Sequence, residues 1–152
     1  MKKVFFALAV LILVFAVSCN KTPAGGGSWT FLGNTYYVTS CVGSGSYISA
    51  TNSSNTNSTI FGGLTIQFSG TALPKASGTY TVVDTVPIGT QVAITATVGG
   101  PADTAYAATG NGQTVAVTVS GGKVSVSGSN IELQNANINP ASFPLSFNVN
   151  TN

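Results

Sequence analysis

Thr114–Gly128 reads TVAVTVSGGKVSVSG. Apolar and polar residues alternate on both sides of Gly121-Gly122, which is the pattern of a half-buried strand on each side of a turn. Two consecutive glycines meet the φ > 0 demand of a two-residue primed hairpin turn. A loop of that length pairs Ser120 with Lys123, Val119 with Val124, Thr118 with Ser125 and Val117 with Val126. Every valine then faces a valine and every polar residue a polar one. A one-residue slip destroys the match, so the register is specified.

The same alternation extends outward. LTIQF puts Leu64, Ile66 and Phe68 on one face. GTYTVV, QVAITATV, KVSVSGS, NIELQ and PLSFNV read as further strands, separated by turn residues at short spacing. WTFLGNTYYVTS (29–40) holds two strand-forming runs around a turn signal at Gly33-Asn34. Ser49 to Thr59, SATNSSNTNST, reads as a polar loop, because Asn, Ser and Thr bond their own backbone in competition with ladders. Its two N-glycosylation sequons, at Asn52 and Asn57, are chance matches in a biased stretch. No segment carries helical periodicity. The expected fold is all-β: a single antiparallel β-sandwich, or alternatively a closed or partly open β-barrel.

The N-terminus follows different rules. Lys2 and Lys3 precede an uncharged apolar run, Val4 to Val17. The run suits a signal-peptide core and is shorter than the about 20 residues of a membrane span. It ends in AVSC, Ala16 to Cys19. That tetrapeptide resembles the bacterial lipobox, in which a small residue precedes an invariant cysteine; Ala16 stands where the family more often has Leu. The resemblance covers residues 1–19. It implies cleavage between Ser18 and Cys19, a diacylglyceryl thioether on Cys19, and membrane attachment through that lipid. If the chain were simply secreted, a Cys19–Cys41 disulfide would be the alternative. With Cys19 lipidated, Cys41 is left as a small strand residue. Residues 1–18 are thus read as signal peptide, 19–28 as lipidated cysteine and tether, and 29–152 as the β domain. Asn20 to Ser28, NKTPAGGGS, has a random-coil reach of roughly 16 Å.

Removing the leader also removes the charge. The precursor is formally +2, but beyond residue 18 only Lys21, Lys75 and Lys123 oppose Asp84, Asp103 and Glu132, and there is no His or Arg. Nucleic-acid binding needs a basic stripe for phosphates, which this chain lacks. Catalytic triads built on His are excluded. A Ser–Lys dyad has only Lys75 or Lys123, and a glycosidase pair only the three scattered acids. The expectation is a protein that is not an enzyme, with no cofactor and no metal. Trp29, Tyr36 and Tyr37 are the candidate ligand contacts, because exposed rings stack on sugars. The commoner role of Trp and Tyr is to anchor the core. Adjacent Tyr36 and Tyr37 must face opposite sides of a strand, so one of them points outward.

Asp84-Thr85-Val86 and Asp103-Thr104-Ala105 resemble the Asp-Ser/Thr-apolar tripeptide O-glycosylated in Bacteroidota-type envelope proteins, which makes Thr85 and Thr104 candidate glycan acceptors. The Gly-rich tether, SWTFLGNTYYV and SGTYTVV resemble the small β-sandwich lipoproteins of such bacteria, a resemblance that supplies no function. Asn20 replaces the Asp that retains lipoproteins in the inner membrane of well-studied systems, so the outer membrane is the expected destination. No acidic cluster follows Cys19, which favours the periplasmic side over the cell surface. Two roles stay open. One is a structural or accessory envelope protein. The other is a module binding a glycan or a small apolar molecule.

Overall fold

A computed structural model describes residues 26–52, 61–99, 104–135 and 141–151. These form eleven strands: β1 (Gly27–Phe31), β2 (Asn34–Tyr37), β3 (Ser40–Ser44), β4 (Tyr47–Asn52), β5 (Gly62–Phe68), β6 (Gly78–Val83), β7 (Gln91–Val98), β8 (Thr104–Ala108), β9 (Thr114–Ser120), β10 (Lys123–Gln134) and β11 (Ser142–Asn150). Among the described residues there is no helix. The hairpin read from sequence is present with the expected register, Val119 opposite Val124 and Val117 opposite Val126. Gly121 and Gly122 have φ of 57° and 77°, as its primed turn requires.

All strands belong to one sheet, in the order β2-β1-β11-β10-β9-β6-β7-β5-β4-β3, with β8 pairing both β10 and β7. The sheet is mixed. β6 and β7 run parallel, joined by residues 84–90, while the other pairs are antiparallel. The expected purely antiparallel sheet is corrected at this one pair.

Connectivity dictates the shape. The two ends of the strand order, β2 and β3, are joined by Val38 and Thr39 alone. Ten strands laid flat span about 43 Å at ~4.8 Å each. The three steps from Tyr37 to Ser40 reach only about 11 Å. The sheet is therefore folded over on itself, and the fold is sandwich-like.

Contacts between strands that are not neighbours show the two layers meeting. Phe31 of β1 lies edge-on to Tyr106 of β8 at 4.9 Å, and Tyr106 to Phe143 of β11 at 5.9 Å. Gly62 of β5 lies so close to Trp29 of β1 that a Cβ there would be 2.7 Å from the indole. Leu64, Ile66, Ile94, Ile131, Leu133 and Leu145 fill the space between and are all buried. Each such side chain contributes about 1.5–3 kcal/mol.

Several boundaries differ from expectation. Gly27 and Ser28, read as tether, open β1 and pair with Val149 and Asn148. The β1–β2 turn is Leu32-Gly33, with Phe31 opposite Asn34, one residue earlier than the Gly33-Asn34 signal. Ser49 to Asn52, read as loop, belong to β4. KVSVSGS and NIELQ are one strand, β10, whose register shifts between Gly128 and Ile131. Asn130 takes φ 54° at this bulge, which lets β10 leave β9 and pair β8.

Candidate functional site

The three aromatic candidates separate cleanly. Trp29 and Tyr36 are core residues, 1% and 3% exposed. Their rings stack at 3.9 Å and 9°. This corrects both as ligand contacts: the pairing of β1 with β2 sets them side by side on the inner face. Trp29 Nε1 is buried with no hydrogen-bond partner. Burial, and then the neighbouring Tyr106, push the Tyr36 hydroxyl above its ordinary pKa. Tyr37, one residue on, faces outward and is 61% exposed.

The other predicted positions are spread over the molecule. Cys19 and Ser18 lie outside the described residues, as do Asp103 and Asn57. Cys41 is a buried free thiol on β3. Burial raises its pKa, and a hydrogen bond with the Asn150 backbone opposes that shift. Thr85 is exposed in the loop between β6 and β7, whereas Thr104 is half-buried as the first residue of β8. That loop also exposes Val86 and Ile88. It is fixed from below by Ser69 Oγ donating to the Gly89 carbonyl at 2.5 Å and by Ile88 N–H donating to Gln91 Oε1 at 3.0 Å.

Of the ionisable residues, Lys75, Asp84 and Lys123 are exposed, and Glu132 is half-buried on β10. Among the described residues, no three His, Cys, Asp or Glu side chains come together. No helix of the described residues is long and apolar enough to cross a membrane.

One concavity had no forewarning from the residue types. Where β10 bends away from β9, an open cleft of about 390 Å³ is lined by Thr79, Thr114, Ala116, Ser127, Gly128 and Ser129, with Val115 beneath. The Gln113 amide spans the upper margin of the split like a piece of backbone. Its Nε2 donates to the Asn130 carbonyl at 2.6 Å, and its Oε1 accepts from Glu132 N–H at 2.9 Å. Gly128 cannot carry a side chain, because a Cβ would lie 2.9 Å from the Phe147 ring and 3.0 Å from Val115. The signal that locates this place is a glycine inside a strand pattern, in Ser127-Gly128-Ser129, which marks a bulge. Among the described residues, the cleft's lining offers hydroxyls and no charged side chain.

Compared with models of protein families, with curated proteins and with solved structures, the chain finds no match.

Proposed function

We propose that the chain is a lipid-anchored, non-catalytic cell-envelope protein in a structural or accessory role. Its β domain acts by presenting a rigid surface. The observation that carries this reading is the chemistry of the outward strand faces, where Ser, Thr, Asn and small residues prevail, with Tyr37, Val42, Tyr47, Lys123 and Glu132 among the exceptions. Polar examples are Ser49, Thr65 and Thr95 in register on β4, β5 and β7, and Ser127, Asn148 and Ser28 on β10, β11 and β1. Such a surface is suited to recognition by hydrogen bonding and shape. The lipobox resemblance at Cys19 supports the anchor. Only residues 20–26 separate it from β1, so the domain stays near the bilayer.

The outer membrane is the proposed destination, with the periplasmic side favoured. Fractionation tests the anchor: the wild type sediments with outer membrane, and Cys19→Ser appears in the soluble periplasm. Proteinase K on intact cells tests the side. The domain survives until the outer membrane is broken. Digestion in intact cells places it on the surface instead.

A second reading, glycan binding, is favoured by Tyr37, a well-exposed ring set among hydroxyls. A glycan array probed with the full chain tests it.

A further inference from the structure

Tyr37 and the cleft between β9 and β10 lie at opposite ends of one register row. Tyr37 of β2 pairs with Ser28 of β1, and Ser28 with Asn148 of β11. Asn148 pairs with Ser127 of β10, Ser127 with Ala116 of β9, and Ala116 with Thr79 of β6. Residues paired in this way share a face and stand about 4.8 Å apart, so the row runs about 24 Å across six strands. Ser28 is half-buried and the other five are exposed. None of the six is charged. Three of them, Thr79, Ala116 and Ser127, line the cleft.

We propose that this row binds a neutral, linear oligosaccharide lying across the strands, with one sugar seated in the cleft and another stacked on Tyr37. The inference rests on the glycan-binding reading above and locates its site.

Two features select this occupant. The row presents hydroxyl and amide groups that exchange hydrogen bonds with sugar hydroxyls, and no charge that would demand an ionic partner. The concavity at one end is too local for a second flat sheet to fill, whereas a single sugar ring enters it. Sugar and tyrosine recognition then sit at separate subsites, so a short chain reaches only one of them.

The experiment is calorimetric titration of the full-length protein in detergent. The probes are neutral glucan, xylan and mannan oligomers, from disaccharide to hexasaccharide. Affinity is expected to rise with chain length for the series that binds. Tyr37→Ala weakens the hexasaccharide about 10-fold, the scale of one aromatic contact, and leaves the disaccharide unchanged. Ala116→Arg fills the cleft and abolishes both. Thr79→Arg supplies the same reading if Ala116→Arg does not fold. Binding that ignores chain length, Tyr37 and the cleft overturns the row and leaves glycan recognition standing. No binding by any neutral oligomer overturns glycan recognition itself. A dimer in light scattering that Tyr37→Ala dissociates, without effect on sugars, makes the strip a self-association surface and overturns the proposal.

Discussion

Gly27 stands at φ 89°, and a Cβ there would fall inside the Asn148 carbonyl oxygen of the neighbouring strand. Gly122 also has positive φ, 77°, but open space surrounds it. The two positions separate backbone strain from collision. Gly122→Val should cost about 1–2 kcal/mol, the scale of forcing a side chain into the left-handed region. Gly27→Ala should cost more, because the β1–β11 ladder must also open. Ser125→Thr, on the polar face of the hairpin, should be nearly silent. Urea melts of the three variants rank them. Cys41 and Tyr36 set the response to alkali. Burial raises both pKa values, so the fold prefers their neutral forms. Their contribution is complete below the unfolded thiol value of about 8.5 and falls as pH rises through the folded values. Stability should therefore decline above that point, and Cys41→Ala should remove the first part of the decline; stability rising with pH would contradict it. Alternation alone showed that Tyr36 and Tyr37 face opposite ways. What the turn decided was the partner of Tyr36, Trp29 in place of Phe31, because Leu32 takes φ 50° where sequence rules favour Asn or Gly. Moving that two-residue turn by one residue shifts the partner by two and keeps the parity, so Tyr36 exchanges Phe31 for Trp29 while its side of the strand stays the same.

At the scale of elements, strong alternation made strands legible and weak composition hid them. The β9–β10 hairpin was readable to the register because valine alternates without a break. Strand β3 (SCVGS) and strand β8 (TAYAA) went unanticipated. Gly, Ser and Ala carry little β-propensity, and these strands exist because their neighbours offer free edges. β10 reads in the sequence as two strands, KVSVSGS and NIELQ, because the apolar positions switch from even (Val124, Val126) to odd (Ile131, Leu133). The chain instead continues as a bulge, held by the Gln113 side chain. Gln113→Ala removes both of those bonds and leaves a half-buried backbone N–H of Glu132 without its partner. It should cost about 1–3 kcal/mol. It should also accelerate amide exchange at Glu132 while leaving the Gly121-Gly122 hairpin protected. Equal loosening of both regions would show that Gln113 does not act locally.

For the whole molecule, the closed circuit of pairings through β10, β9, β6, β7 and β8 is where the sheet turns over. No sequence rule anticipated the parallel β6–β7 step inside it, since so short a connection as 84–90 ordinarily suggests a hairpin. The two layers then meet at a few large side chains. Phe31 is fully buried and touches both Tyr106 and Phe143. Phe31→Ala should cost about 3–5 kcal/mol and lower the melting temperature of the entire domain in a single transition. A loss confined to β1 and β2 would mean that the layers fold separately. The function proposed for this scaffold depends on where it is held, and that rests on Cys19. Intact-mass and fatty-acid labelling of the protein from its native host is the direct measurement. The account predicts a mature chain beginning at lipid-modified Cys19, label retained in Cys41→Ser and lost in Cys19→Ser. A mature chain with an unmodified N-terminus and a Cys19–Cys41 disulfide would contradict it, because a thioether-linked sulfur cannot form that bond.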